Sequence, residues 1–119
     1  MEQRRAVEPV GRSAKLSAVT VVVVTLKVIA QDFIELDAVE KVRPLLDELV
    51  RLTRQEPLCI SYDLFVDRED AGHFIYIETW PDRDALDAHC ASEHFRRLVP
   101  QIDAHRRQDG TAMLMDQLA

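Results

Sequence analysis

The pattern of apolar and polar positions along the chain predicts strands and helices in alternation. Residues 18–29, AVTVVVVTLKVI, are rich in β-branched side chains and apolar at both odd and even positions over their first half, which predicts a strand buried on both faces. Residues 38–55 follow with apolar side chains at helical spacing, which predicts the first helix. The segment EPLCISYDLFVD then alternates, and HFIYIETW is apolar on both sides, so we expect a β-hairpin that turns at REDAG.

The last third of the chain predicts two capped helical stretches and a closing strand. Pro81 holds Trp80 in an extended conformation and ends the strand, and Asp82 is a residue type that caps helix N-termini. Ser92 caps a second stretch with an apolar stripe, which we expect to end at Gly110, and TAMLMDQL predicts the final strand. The order β-α-β-β-α-β predicts an α+β, ferredoxin-like fold with a four-stranded antiparallel sheet.

This topology places the first and third strands at the centre of the sheet, and those are the strands that are apolar on both faces. Two helices cover only one face, so another surface must cover the second. We expect a second copy of the chain there, which gives a homodimer, a dimeric α/β-barrel whose two sheets pack face to face. An open, solvated sheet is the alternative, but it would expose a larger apolar patch than monomers usually show, at Val21, Val23, Ile75 and Ile77.

The composition of the chain indicates a single domain and argues against several classes of partner. With 119 residues and 47% hydrophobic side chains, residues 18–119 predict a single domain behind a flexible tail, residues 1–17. The folded part carries a net charge of about −8, which argues against a nucleic-acid partner, and no apolar run reaches the ~20 residues of a membrane helix. The tail lacks the apolar stretch of a secretory signal, and Cys59 and Cys90 match no disulfide or C-x-x-C pattern. We therefore expect reduced thiols, no membrane partner and a cytoplasmic location.

A metal centre and a cysteine nucleophile are both disfavoured by spacing. His89 and His94 are five positions apart, so on one continuous helix they point about 140° apart. A break at Ser92 would bring them together, but no H-E-x-x-H motif and no carboxylate at the usual spacing accompanies them. Cys90 is adjacent to His89, which is the wrong geometry for a nucleophile and its base. With only three glycines the chain also has no phosphate-binding loop, so we expect neither a metal nor a nucleotide cofactor.

A pocket at one end of the sheet is the remaining hypothesis. Trp80 ends a central strand and His89 lies about two turns into the next helix, so both can reach the gap between sheet and helices. Tyr76 and Glu78 share the face of Trp80 by alternation, and Tyr62 is a cross-strand neighbour on the hairpin partner. Aromatic walls with one imidazole suit a flat phenolic or quinone-like ligand. Plain packing is the alternative for each of these side chains; the rim of the site is assigned to His94 and Phe95.

Three short motifs give the chain a resemblance to a known family. These are E-x-W, A-L-x-x-H and S-x-H-F, all within HFIYIETWPDRDALDAHCASEHF, preceded by TRQEPLCISYDLFVD. In this order and spacing they resemble the antibiotic biosynthesis monooxygenase domain proteins, which include small quinol monooxygenases and an autoinducer-degrading isomerase. The resemblance covers about residues 19–102. Leu58 departs from it by replacing the Gly that usually follows E-P, and the loop QDFIELD lacks the usual Pro-Gly.

The resemblance implies a ferredoxin-like dimer and, as in some members, oxygenation of an electron-rich aromatic by O2 without metal or flavin. We therefore expect a cofactor-independent monooxygenase acting on a small quinol or polyphenol-like molecule. In it His89 is the base that removes a phenolic proton, and Trp80 lines the pocket.

Two other functions stay open at this point. The first is an isomerase or lyase that acts on a small hydroxy-carbonyl compound, with His89 moving a proton and no O2 consumed. The second is a non-catalytic ligand-binding dimer, which would have Trp80 and His89 covered by their neighbours rather than lining an open cavity. Related haem-degrading proteins have an Asn in the first strand, where this chain has TVVVVT, so haem is a weaker candidate.

Overall fold

A four-stranded antiparallel sheet, covered by helices on one face, forms the body of the protein. The structure is a computed structural model that describes the backbone of residues 4–7 and 20–119 and the side chains of residues 24–119. Its strands and α-helices, in chain order, are β1 (Arg4–Val7), β2 (Thr20–Val23), β3 (Leu26–Ile34), α1 (Val39–Thr53), β4 (Ser61–Asp67), β5 (Asp70–Trp80), α2 (Arg83–Cys90), α3 (Glu93–Asp103) and β6 (Arg106–Asp116). The strand order is β4-β5-β3-β6, so the predicted ferredoxin-like α+β fold is confirmed, with β3 and β5 at the centre.

The central strand β3 begins later than the sequence pattern predicts. The single strand expected over residues 18–29 is wrong, because β3 covers Leu26–Ile34 while Thr20–Val23 forms β2, which pairs with β1 in a separate two-stranded sheet. Polar side chains made the second half of β3 resemble a loop, yet neighbouring strands satisfy them. Asp32 accepts a hydrogen bond from the Tyr76 hydroxyl at 2.8 Å, and Gln31 donates to Thr111 at 3.2 Å.

The N-terminal residues bear on two further predictions. Arg4–Val7, within the segment expected to be a flexible tail, forms β1 opposite Thr20–Val23. The rest of that predicted tail, residues 1–3 and 8–17, lies outside the described residues, and so do the side chains of Val21 and Val23.

The core lies between the sheet and the helices. Helix α1 agrees with the helix predicted over residues 38–55, and its apolar stripe is buried, with Leu46 and Leu49 only 0% and 1% exposed. Leu98 and Ile102 of α3, each 1% exposed, pack into the same core. Within residues 20–119 the helices are all too short or too polar to cross a bilayer.

The second helical stretch begins at its cap, Ser92, as predicted, and ends earlier than predicted. Helix α3 stops at Asp103, so the prediction that it extends to Gly110 is wrong. Gly110 instead lies within β6, where a Cβ atom would come 2.7 Å from the backbone oxygen of Gln31 in β3. The glycine therefore permits close approach of two strands next to a register shift, rather than ending a helix.

The face of the sheet away from the helices exposes apolar side chains. Phe65 of β4, Ile77 of β5 and Met113 of β6 are 51%, 40% and 56% exposed. Ile77 alternates along β5 with Tyr76 and Glu78, which are buried. The central strands were expected to be buried on both faces, but within one chain the face away from the helices stays partly exposed.

Candidate functional site

The turn between β5 and α2 brings Trp80 and His89 together. Pro81 follows the last residue of β5, and the Asp82 carboxylate caps α2 by accepting a hydrogen bond from the Ala85 amide at 2.9 Å. Two turns later His89 lies over the indole, with ring centroids 4.8 Å apart and planes inclined by 31°. The predicted proximity of these two residues is confirmed.

Aromatic rings enclose the imidazole of His89. The ring centroid of Tyr62 lies 5.3 Å from that of His89 and 6.4 Å from that of Trp80. Phe95, near the start of α3, presents its ring to the imidazole almost edge-on at 5.0 Å. Tyr76 lies further away, against Tyr62 at 5.8 Å. Burial raises the pKa of the Tyr62 and Tyr76 phenols well above 10.0, so both hydroxyls stay protonated at neutral pH.

A carboxylate that sequence reasoning did not identify joins the two histidines. Glu56 Oε2 lies 2.7 Å from Nδ1 of His89 and 2.6 Å from Nε2 of His94. Glu56 sits in the loop after α1, which is held by hydrogen bonds from the Glu56 amide to the Thr53 carbonyl and from the Cys59 amide to the Glu56 carbonyl. The E-P dipeptide that contributes to the family resemblance was the available signal for this residue.

The break between α2 and α3 makes the histidines converge. Ser92 separates the helices, donates to the His89 carbonyl at 2.6 Å and caps α3 by accepting from the Phe95 amide. The two imidazole centroids are 6.2 Å apart, and both rings reach the same Glu56 oxygen. The prediction that His89 and His94 have no accompanying carboxylate is therefore wrong, because Glu56 reaches them from a distant part of the chain. Three atoms that can bind a metal, one from each residue, lie within 4.8 Å of one another.

Burial sets the protonation of the ionisable groups in the site. Burial lowers the pKa of His89, although the hydrogen bond to Glu56 opposes this change, so the imidazole is neutral at pH 7. Its Nδ1–H donates to Glu56, which leaves the lone pair on Nε2. Glu78 accepts a hydrogen bond from the Trp80 indole at 2.9 Å, and burial raises the pKa of its carboxyl from 4.5 to about 7.

The cysteines do not take part in this arrangement. Cys59 and Cys90 are both free, and Cys90 is exposed. Burial raises the pKa of each thiol above 9.0, so neither is a ready nucleophile.

The buried centre of the site has a partly exposed edge. The rings of Trp80 and His89 contact each other and are 0% and 2% exposed, so no ligand fits between them. The predicted cavity between these two residues is therefore closed. The side chains of Glu56 and His94, each 14% exposed, form the edge that reaches the surface.

A groove of about 500 Å³ lies elsewhere, between α1 and β4. Its two flanking ion pairs are Arg43 with Asp47 and Arg54 with Asp63, both largely exposed. It contains none of the residues of the His89 site, and we assign it no role.

Comparison with known proteins places these residues within one family. The family model described as "Antibiotic biosynthesis monooxygenase" matches residues 25–101, a range that includes Glu56, Trp80, His89 and His94. A crystal structure described as that of an antibiotic biosynthesis monooxygenase is 67% identical, has a TM-score of 0.78, and covers 79% of this chain and 99% of that one. The crystal structure of PA3566 from Pseudomonas aeruginosa is 33% identical with a TM-score of 0.74, covering 81% of this chain and 96% of that one.

Curated relatives match over shorter stretches. Rv0793 of Mycobacterium tuberculosis is 38% identical over 66 residues, which is 56% of this chain and 64% of that protein. The protein sll1783 of Synechocystis is 33% identical over 63 residues, which is 53% of this chain and 43% of that protein. The chain thus spans less than two thirds of the length of these two relatives. The family match itself covers most of the described sheet and helices, and the chain belongs to the antibiotic biosynthesis monooxygenase family.

Proposed function

We propose that this protein is a cofactor-independent monooxygenase that adds one oxygen atom of O2 to a small quinol or polyphenol-like aromatic. The observation that carries the proposal is the buried, neutral imidazole of His89, enclosed by aromatic rings and bonded through Nδ1 to Glu56. Its Nε2 then has the lone pair that a general base needs. Membership of the family supports the same class of reaction.

The proposed reaction balances with substrate, O2 and one base. His89 Nε2 removes a phenolic proton, the phenolate gives one electron to O2, and the resulting superoxide and substrate radical combine to form a C–O bond. The proton then returns to the outer oxygen, the O–O bond breaks as the carbon loses its hydrogen, and water leaves. The substrate supplies all four electrons that reduce O2, so one oxygen atom stays in the product without an external reductant.

The substrate would bind beside the Trp80–His89 pair rather than between the two rings. The edge formed by Glu56 and His94 reaches the surface, and a substrate that enters there would have to lie against Nε2 of His89, since Nδ1 faces Glu56. Tyr62 and Phe95 give that edge apolar walls, which disfavour water near the reacting anion. Trp80, fixed by its hydrogen bond to Glu78, orients the imidazole, while Tyr76 supports Tyr62 from behind.

The protein is proposed to act as a homodimer in the cytoplasm. The apolar face of the sheet that carries Phe65, Ile77 and Met113 would pack against the same face of a second copy. We expect Ile77→Glu to produce a monomer in size-exclusion chromatography with light scattering, whereas Glu69→Gln, in the exposed hairpin turn, should leave the dimer unchanged. A wild-type protein that runs as a monomer at micromolar concentration would contradict the dimer.

Oxygen consumption tests the proposed reaction. Chelator-treated protein is assayed with an oxygen electrode against a panel of hydroquinones and anthrones, and we expect O2 uptake with a product that has gained one oxygen atom and lost two hydrogen atoms. His89→Ala should abolish turnover, a loss of at least about 100-fold for removal of a general base, and Trp80→Phe should weaken substrate binding. His105→Gln is the matched control, because that histidine lies between α3 and β6 and outside the site.

The same assay separates the proposal from its competitors. Unchanged turnover in His89→Ala would remove the base assignment. No uptake across the whole panel would contradict the monooxygenase and favour the isomerase, in which the same base moves a proton without O2. One observation favours a second candidate, the non-catalytic ligand-binding dimer, since Trp80 and His89 are almost fully covered. Saturable binding of a panel compound without O2 uptake or product formation would support that candidate.

A further inference from the structure

Two imidazole nitrogens and one carboxylate oxygen converge at the rim of the site. His89 Nδ1 and His94 Nε2 lie 2.7 Å and 2.6 Å from Glu56 Oε2, and the three atoms are all within 4.8 Å of one another. The oxygen therefore accepts two N–H groups that approach from two different helices. The arrangement therefore brings three atoms that can bind a metal close together, with both imidazoles directed at the same carboxylate oxygen.

We propose that Glu56, His89 and His94 bind a divalent transition-metal ion, such as Zn²⁺, through these three atoms, and that the bound ion inhibits the oxygenation reaction. Two histidines and one carboxylate form the donor set of several catalytic zinc sites and of non-haem iron sites. The binding part of the inference stands on the geometry, and the inhibition part rests on the proposed function.

The three donor atoms would have to shift to admit the ion. Metal–ligand distances of about 2.1 Å place neighbouring donor atoms roughly 3.0–3.4 Å apart in octahedral or tetrahedral geometry. The observed N···O distances of 2.7 Å and 2.6 Å would have to open, and the two nitrogens, which lie within 4.8 Å of each other, would have to reach the same range. The side chains of Glu56 and His94 are each 14% exposed, so both can move toward the nearly fully buried His89.

The bound ion would inhibit the reaction because the imidazole of His89 has only two nitrogens, one to bind the ion and one to act as the base. In the metal-free protein the His89 proton is on Nδ1, hydrogen-bonded to Glu56, and Nε2 acts as the base. A metal ion needs the Nδ1 lone pair, so the proton must move to Nε2 when the ion binds. The ring then has no lone pair left for a substrate proton. Metal binding and base catalysis are thus mutually exclusive states of the same residue.

Titration of tag-free, metal-free full-length protein with Zn²⁺ tests the binding. Isothermal titration calorimetry should give one ion per chain, and Co²⁺ should give a visible spectrum typical of low coordination number. Glu56→Gln and His94→Gln should each weaken Zn²⁺ binding by at least about 100-fold, with circular dichroism confirming that both variants fold. His73→Gln is the matched control, because His73 also contacts a carboxylate, Asp67, at 3.0 Å but belongs to a different cluster.

The outcomes separate the two proposals. Absence of saturable binding up to about 1 mM Zn²⁺, or binding unaffected by both Glu56→Gln and His94→Gln, would overturn the metal site. The inhibition is tested with a panel compound that the metal-free protein oxidises. Zn²⁺-loaded protein should lose most of its O2 uptake with that compound and recover it when a chelator is added. Faster O2 uptake by the Zn²⁺-loaded protein would contradict the proposed inhibition. If metal-free protein shows no uptake, the proposed function fails, while calorimetry still decides whether the ion binds.

Discussion

Replacing Glu78 by glutamine should remove a pH dependence from the stability of the protein. Glu78 is 5% exposed and accepts the indole N–H of Trp80, and burial raises the pKa of its carboxyl from 4.5 to about 7. The folded protein therefore keeps this proton up to about pH 7, whereas the unfolded chain releases it near pH 4.5. The favourable contribution is present below the unfolded pKa and is lost as pH rises through the folded pKa. Glutamine cannot ionise, yet its carbonyl oxygen can still accept the indole hydrogen bond.

The two pKa values fix the expected size of the effect. The unfolded chain loses the Glu78 proton at lower pH than the folded protein does. As pH rises from 5 to 8, this difference lowers the free energy of unfolding of the wild type by about 2.5 kcal/mol, relative to a protein with a residue that does not titrate at this position. The free energy of unfolding of Glu78→Gln, measured relative to that of the wild type, should therefore rise by about the same amount between pH 5 and pH 8. All other titrating groups, His89 included, are common to both proteins and cancel in the difference.

Urea unfolding, followed by circular dichroism at several pH values and one protein concentration, measures this difference. Glu69→Gln is the control, because Glu69 is exposed in the turn between β4 and β5, and its curve should follow that of the wild type. Parallel pH profiles for Glu78→Gln and wild type would refute the reasoning, since they would show that the buried carboxyl titrates like an exposed one.

Three further sets of substitutions probe the packing and capping of the fold. Thr53 is 0% exposed and its hydroxyl has no hydrogen-bond partner among the described residues, so Thr53→Val should raise the free energy of unfolding by about 1 kcal/mol. Asp82→Ala removes the cap of α2 and should cost about 1 kcal/mol, while Asp82→Asn should cost much less. Gly72→Ala would drive a Cβ atom into the Ile34 carbonyl oxygen and should cost about 1–3 kcal/mol, more than Gly110→Ala, whose nearest contact of 2.7 Å is longer. Urea unfolding at neutral pH measures all three.

Each of these expectations has a contradicting result. A Thr53→Val protein that is less stable than Thr53→Ser would show that the hydroxyl is satisfied. Equal stability of Asp82→Ala and Asp82→Asn would show that the cap does not hold α2. A Gly72→Ala protein as stable as wild type would show that β3 and β5 can separate without loss.

Local patterns predicted the parts of the fold that local contacts determine. Leu46 and Leu49 recur at helical spacing and are buried where the pattern of α1 places them. The meeting of Trp80 with His89 was also predictable, because a short turn at Asp82 sets the direction of the next helix. These predictions depended only on residues close together in the chain.

The misplaced strand and the missing carboxylate depend on distant partners. Asp32 makes its hydrogen bond to Tyr76, 44 positions away, so nothing in its own neighbourhood indicated a central strand. Glu56 meets His89 and His94 across 33 and 38 positions. No spacing rule within one helix can identify such a set, because its carboxylate comes from a loop outside both helices.

The same long separation determines when the site can form during folding. We expect Glu56 and His89 to meet after the β4–β5 hairpin and the turn into α2 have formed, since these elements lie between them in the chain. The imidazole that Glu56 then holds in place also covers Trp80, the single tryptophan of the chain. In stopped-flow refolding we expect the tryptophan fluorescence to reach its native value after the far-ultraviolet circular dichroism does, and coincident traces would contradict this order. The residue that helps form the site would then also report the last stage of its assembly.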